Sequence, residues 1–333
     1  MRVCRFLSDD LLLAGFYRDD VIIPLSQACE SYCAANDLEL LLPATEDLLD
    51  LLPPDGMAFS AAQELSRWLE TLDDERISEL SIPVDEVVLL TPIAEPRKIL
   101  LLAGNYSAHV AERGGTTAER SETFPYVFMK PPSTTLINPG DAILLPEVSP
   151  DHIDWECELG VVIGRTCRHV PEEEAFEYIA GYTVLNDVSD RKFTPNPGRK
   201  TRERDKFFDW MHGKWHDTFC PVGPCILSAD MVADPQVLKL NLRVNGQIKQ
   251  DASTEQMVFP VAAIVSFLSQ FVTLEPGDLI ATGTPAGVGS ASGTYLRSGD
   301  LVEATVEGIG TLTNPVMTEA EALAQQAQAE TGD

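Results

Sequence analysis

Asp154-Trp155-Glu156-Cys157-Glu158-Leu159-Gly160-Val161-Val162-Ile163-Gly164 is the stretch that decides how this 333-residue chain is read. The apolar run from Leu159 to Ile163 has the length and β-branched content of a buried strand. Alternate residues of a strand share a face, so Glu156 and Glu158 point the same way at its mouth. Two carboxylates side by side repel each other. A divalent cation removes that cost, and hard oxygen ligands suit Mg²⁺, Mn²⁺ or Ca²⁺. An isolated Glu-x-Glu more often marks a solvated strand face, but here a second acidic position follows. Tyr182-Thr183-Val184-Leu185 reads as another buried strand and runs into Asn186-Asp187-Val188-Ser189-Asp190-Arg191. Asp187, 29 residues beyond Glu158, stands at its end. Three carboxylates plus water leave open positions for a bidentate ligand.

Outward from this pair, the texture of the chain changes near Arg97. Beyond it, Lys98–Ala103, Tyr126–Lys130, Ala142–Leu145, Glu156–Ile163, Gly181–Asn186, Leu238–Val244 and Leu301–Val306 read as strands between Gly and Pro punctuation. Val261–Gln270, after Pro260, reads as a helix. Ser81–Arg97, with Pro83, Pro92 and Pro96, reads as an extended connector. The first 85 residues read as a small α/β unit. Its meander is Met1–Leu7, Leu11–Tyr17 and Asp20–Pro24, and its helices are Leu25–Asn36 and Ala61–Asp73, the second capped by Ser60. Glu319–Glu330 reads as a terminal helix or a frayed tail, having no clear apolar face. The expected organisation is an N-terminal domain over 1–85, a connector over 86–97, a catalytic domain over 98–317 and a tail over 318–333. The class is α+β and β-rich.

With 52 acidic and 24 basic residues, the formal charge of −28 argues against nucleic acid as a partner, because phosphate binding needs a positive surface. An anionic ligand must then find a local metal or Lys/Arg site. Apolar runs are far shorter than the ~20 residues of a membrane helix. No signal peptide is visible, and seven irregularly spaced cysteines suit a reducing cytoplasm better than a disulfide framework.

The chain resembles the fumarylacetoacetate hydrolase superfamily from about Lys98 to Val316. The resemblance is carried by the Glu-x-Glu and Asp187 spacing and by Gly104-Asn105-Tyr106-Ser107-Ala108-His109, Phe128-Met129-Lys130-Pro131 and Asn186-Asp187-Val188-Ser189. It continues through Gly213-Lys214-Trp215-His216-Asp217-Thr218-Phe219, Val244-Asn245-Gly246 and Gly283-Thr284-Pro285-Ala286-Gly287-Val288-Gly289. It implies a mixed β-sandwich roll with a small N-terminal α/β domain, a homodimer built through the catalytic units, and Mg²⁺ or Mn²⁺, with Ca²⁺ as an alternative, on Glu156, Glu158 and Asp187.

It also implies roles for residues whose spacing alone leaves several readings open. His109 and Glu112, three apart, are neighbours on a helical turn. They match the superfamily's water-activating pair on a lid, where Glu112 orients the imidazole. Lys214 matches a lysine that stabilises developing negative charge. Tyr106 is carried over as a substrate contact, whereas Thr284, in its Gly-flanked loop, reads either as a hydroxyl that holds a substrate carboxylate or as part of a simple tight turn. Arg191 is expected either to grip a distal carboxylate or to form a solvated or structural ion pair.

The implied activity is metal-dependent hydrolysis of a C–C bond in an acylpyruvate, a small anionic 2-oxo acid, through a metal-bound enolate. Decarboxylation, isomerisation or hydration, and sugar-acid dehydration share that intermediate and stand as alternatives. A non-catalytic metal- or ligand-binding protein is the remote one.

Two features lie outside the pattern. After Arg191 the chain has Lys192-Phe193-Thr194 where many members have Asp and then Gln, and the basic run Arg199–Lys206 follows, read as a solvated loop or a positive rim. His212, His216 and Cys220 have the spacing of a helical zinc site, but Gly213, Thr218 and Pro221 argue against one continuous helix there.

Overall fold

The apolar run after Glu156 forms the strand Cys157–Ile163, with every residue buried. Its antiparallel neighbour, Ile179–Asn186, is buried throughout as well. Strands covered on both faces are mostly apolar, which is why Leu159–Ile163 and Tyr182–Leu185 read as near-continuous runs. Alternation sorts them between two cores. Leu159, Val161 and Ile163 face one, and Val162 faces the other.

The computed structural model describes residues 1–43, 45–112, 114–116 and 120–331. Among these, a 12-stranded sheet runs from Ile82–Pro83 through Val21–Pro24, Leu11–Arg18, Arg2–Ser8, Cys220–Ser228 and Ile179–Asn186. It continues through Cys157–Ile163, Leu279–Ala281 and Ile99–Ala103 to Tyr126–Met129. Val88–Leu90 and Leu136–Ile137 pair off this path. A five-stranded sheet orders Gln247–Ser253, Lys239–Val244, Leu301–Val306, Gly310–Thr318 and Ile143–Leu145. Leu240, Leu242, Val302, Ala304 and Leu312 of the smaller sheet pack with Leu159, Val161 and Val184 of the larger one. The other face of the large sheet is covered by the helices Leu25–Asn36 and Phe59–Leu69, through Ala28, Ala62, Leu65 and Leu69. The α+β, β-rich class is borne out. No helix among the described residues is long and apolar enough to cross a membrane.

Several local expectations change. Ser60 is inside its helix, not its cap: the helix begins at Phe59 after Ala58. It stops at Leu69, and Asp73 starts a second helix, Asp74–Leu80, by accepting the backbone N–H of Arg76 at 2.9 Å. The stretch read as a connector contains Val88–Leu90, which pairs with Arg2–Ser8. The first strand also pairs with Cys220–Ser228, at Arg2 with Leu227 and Val3 with Ile226, so sheet hydrogen bonds join residues 1–85 to the later part of the chain. Within the basic run, Arg199 pairs with Asp205 and Asp209, and Arg202 with Asp205, so these two arginines are neutralised locally. The helix Asp205–His212 ends at His212 and Cys220 opens a strand, which disposes of a continuous helix under the two histidines and that cysteine.

Candidate active site

Two bonds at the mouth of the central strands bring the carboxylates together. Asn186 Oδ1 accepts from the backbone N–H of Glu156 at 2.9 Å, and the N–H of Asp187 donates to the carbonyl of Glu156 at 2.9 Å. Glu158 lies in register with Leu185. Glu156, Glu158 and Asp187 are buried, and one ligand oxygen from each lies within 4.8 Å of the others.

Their surroundings separate them electrostatically. Glu158 Oε2 accepts from Gly283 N at 2.6 Å, while Oε1 is buried with no hydrogen-bond partner among the described residues. Burial, together with the charges of Asp187 and Glu156, pushes the Glu158 carboxyl well above the usual carboxylate range. Burial would do the same to Glu156, but Lys214, Arg191 and His109 outweigh it and hold that carboxyl well below the range. A crowded set of three buried carboxylates, with Glu158 Oε1 and Asp187 Oδ1 free of hydrogen bonds among the described residues, fits a hard divalent cation.

Lys214 faces the cluster directly. Its ammonium donates to Glu156 Oε2 at 2.8 Å and to Asp187 Oδ2 at 2.5 Å. Burial lowers its tendency to hold a proton, yet Asp187 and Glu156 more than restore it, and its pKa is raised. Gly213 makes this approach feasible: a Cβ there would lie 2.4 Å from the carbonyl of Asp190.

Lys130 is the residue that the sequence reading quoted but gave no role. Its ammonium is fully buried, 2.6 Å from Asp187 Oδ1 but off the line of a hydrogen bond. It donates instead to the carbonyls of Val188, at 2.8 Å, and Phe219. Lys130 is thus a fixed counter-charge behind Asp187. An isolated lysine after Phe128-Met129 was the available signal.

The predicted water-activating pair is assembled on the six-residue helix Ser107–Glu112. His109 is buried, and its Nδ1 lies 2.7 Å from Glu112 Oε1. Glu112 Oε2 accepts from Gly287 N at 3.0 Å, so the helix is docked on the Gly-rich loop. A carboxylate on Nδ1 assigns the proton to that nitrogen and leaves Nε2 as the basic one. Tyr106 is fully buried, and its hydroxyl has no hydrogen-bond partner among the described residues. Burial and the Glu158 charge push its phenol up.

Two predicted contacts are engaged within the protein. Thr284 Oγ1 donates to the carbonyl of Cys157 at 3.0 Å and accepts from Gln250 Nε2 at 2.8 Å. Gln250, which sequence reasoning missed, also accepts from Cys157 N at 2.9 Å and so ties the loop to the strand that carries Glu158. Of the two readings of Arg191, the ion pair is the one seen. Its Nε donates to Asp154 at 2.7 Å and its Nη2 lies 2.6 Å from Glu156 Oε1.

Residues 98–317 match the family model described as fumarylacetoacetate (FAA) hydrolase, C-terminal. The chain is 43% identical over 223 residues to 2,4-didehydro-3-deoxy-L-rhamnonate hydrolase of a Sphingomonas species, covering 66% of this chain and 73% of that one. It is 38% identical over 238 residues to a mitochondrial oxaloacetate tautomerase of Rattus norvegicus, covering 71% of each. The solved structure of maleylpyruvate hydrolase from Sphingobium sp. SYK-6, in complex with manganese(II) and pyruvate, is similar at a TM-score of 0.68 and 29% identity, covering 96% of this chain and 99% of that one. The family match takes in all nine predicted site residues, from Tyr106 to Thr284, and the chain belongs to the fumarylacetoacetate hydrolase superfamily.

Proposed function

We propose that this chain hydrolyses a C–C bond in an acylpyruvate-type 2-oxo acid, with Mg²⁺ or Mn²⁺ held by Glu156, Glu158 and Asp187. The observation that carries the reading is the buried His109–Glu112 pair docked on Gly287, in the same site as the carboxylate triad. When bound, a divalent cation supplies Lewis-acid polarisation of the substrate's 2-oxo oxygen.

The chain's own residues supply the rest. Glu112 holds the His109 ring in the tautomer whose Nε2 accepts a proton from water. The hydroxide oxygen bonds to the distal carbonyl carbon, and the C–C bond on the pyruvate side breaks. Its electron pair leaves as the pyruvate enolate. The Lys214 ammonium, with two of its three protons already on Glu156 and Asp187, offers the third to that developing charge. The proton held on His109 returns to the enolate carbon, giving pyruvate and a carboxylic acid. A homodimer and a cytoplasmic setting belong to the same reading.

One observation favours a second reading. The base and its carboxylate are equally suited to moving a proton within a substrate, and a tautomerase stands among the relatives. Pyruvate release from acylpyruvates, oxaloacetate and 2-keto-3-deoxy sugar acids, measured with Mn²⁺ present, distinguishes the readings. Hydrolysis predicts stoichiometric pyruvate from an acylpyruvate. Tautomerisation of oxaloacetate without pyruvate release would overturn it.

A further inference from the structure

We propose that Asp154 is a positioning residue that joins the metal-ligand Glu156 to the turn on which the lid carboxylate Glu112 lands. The inference rests on the metal-dependent reading above and deepens it.

Asp154 is fully buried, and its carboxylate is saturated by four donors. Oδ1 accepts from Trp155 N at 2.9 Å and Gly289 N at 2.6 Å. Oδ2 accepts from Ser290 N at 2.9 Å and Arg191 Nε at 2.7 Å. A buried carboxylate is costly unless paired and fully hydrogen-bonded, and Asp154 is both. Its partners lie in three separate places: the next residue of the chain, the Gly-rich turn and the segment after Asp187.

Each arm leads to the chemistry. Arg191 reaches past Asp154 to Glu156, with Nη2 2.6 Å from Oε1, so the guanidinium bridges the two carboxylates. On the other side, Gly289 and Ser290 fix the turn that begins at Gly287, the residue whose N–H holds Glu112. Trp155, next in sequence, holds the same turn from its indole Nε1 to the Gly287 carbonyl at 3.1 Å. Residues 154 to 156 therefore set a metal ligand and the seat of the base's carboxylate as one unit. A group in this position orients a ligand without touching the ion, and loss of such a partner typically changes metal affinity or activity about 10–100-fold.

The test is Asp154→Asn in the full chain. An amide keeps one acceptor oxygen and replaces the other with a donor. Whichever way it turns, two of the four N–H groups lose their acceptor. Titration of Mn²⁺ alone by calorimetry, well below the unfolding midpoint, is expected to show Kd raised about tenfold or more. At saturating Mn²⁺, acylpyruvate turnover is expected to keep a lowered kcat with little change in KM, because the seat of Glu112 stays loosened. Arg191→Lys, which retains the charge but not the fork, is the second variant. It is expected to raise the Mn²⁺ Kd as well, and it keeps the test open should Asp154→Asn not fold. A wild-type Mn²⁺ Kd in either folded variant overturns the proposal, whatever its thermal midpoint. So does an Asp154→Asn enzyme whose kcat returns to the wild-type value at saturating Mn²⁺. Failure of the wild-type chain to bind Mn²⁺ would instead overturn the functional reading on which it rests.

Discussion

Binding of a divalent ion to this site should expel a proton from Glu158. The carboxyl is fully buried, has one backbone donor on Oε2 and none on Oε1 among the described residues, and lies against the carboxylates of Asp187 and Glu156. Burial, and then those two charges, keep its proton on well above the ordinary carboxylate range in the metal-free protein. An ion needs the deprotonated oxygen as its ligand. One proton lost per ion bound means that the Mn²⁺ Kd falls about tenfold per pH unit, or about 1.4 kcal/mol, from the ordinary glutamate range up to the folded-state value. Stability in the absence of metal runs the other way. The folded-state pKa is raised, so the stabilising contribution is complete below about pH 4.3 and is lost as pH rises through the folded value. The gap in thermal midpoint between metal-loaded and metal-free protein should therefore widen with pH. Calorimetry in buffers of different ionisation enthalpy counts the protons directly, and Glu158→Gln should abolish the release while weakening binding. A Kd that does not fall as pH rises above the ordinary glutamate range, with no proton exchange in wild type, would refute the assignment of Glu158 as a protonated ligand.

If the imidazole serves as base and not as ligand, as proposed, His109→Ala should lower kcat by about 10²–10⁴ while leaving the Mn²⁺ Kd within a few-fold; unchanged turnover on every accepted substrate would remove it from the mechanism. Lys130→Met removes one of the two buried ammonium groups that face Asp187, leaving Lys214, and takes the Lys130 donor from the carbonyls of Val188 and Phe219. Urea denaturation should show a loss of about 1–3 kcal/mol, and no measurable loss would mean that the ammonium is not buried as described. Gly287→Ala is strained at φ +102° and sets a Cβ 2.1 Å from the carbonyl of Lys249. It should cost about 1–3 kcal/mol of stability and lower kcat by displacing the N–H that holds Glu112, and a wild-type kcat would show that docking on Gly287 is not needed.

What could be read in the sequence depended on how local the physics was. The strand pair Cys157–Ile163 and Ile179–Asn186 was legible because burial on both faces leaves a near-continuous apolar run. The equally central strand Cys220–Ser228 was not, because Pro221, Gly223 and Pro224 argue against a central strand. The register shift between Tyr182 and Val184 in its neighbour accommodates that interruption. Glu156, Glu158 and Asp187 followed from alternation and from the end of a strand. Lys130, Gln250 and Asp154 did not, because a buried polar residue is defined by partners distant in sequence. Asp154 meets Arg191 37 positions away and Ser290 136 away, and no spacing rule reaches so far. The same distance explains Arg191: only the fold reveals that two carboxylates already hold its guanidinium.

The pairing of Lys130, Lys214 and Arg191 bears on how an acidic protein would take up the anionic substrate proposed above. Lys130, Lys214 and Arg191 are all buried against carboxylates, so none stands as a free anchor among the described residues. Four carboxylates, Asp154, Glu156, Glu158 and Asp187, share those three cations. With Glu158 protonated the cluster is neutral, and a chain of net charge −28 gives a 2-oxo acid no electrostatic reason to enter. A divalent ion that replaces the Glu158 proton leaves the cluster with one net positive charge. Attraction of the substrate is then conditional on the metal, and loading should be ordered, metal first. Equilibrium binding of oxalate, an enolate mimic, should be negligible without Mn²⁺ and measurable with it. Equal oxalate affinity in the two states would mean that some other cation, outside this cluster, receives the acid.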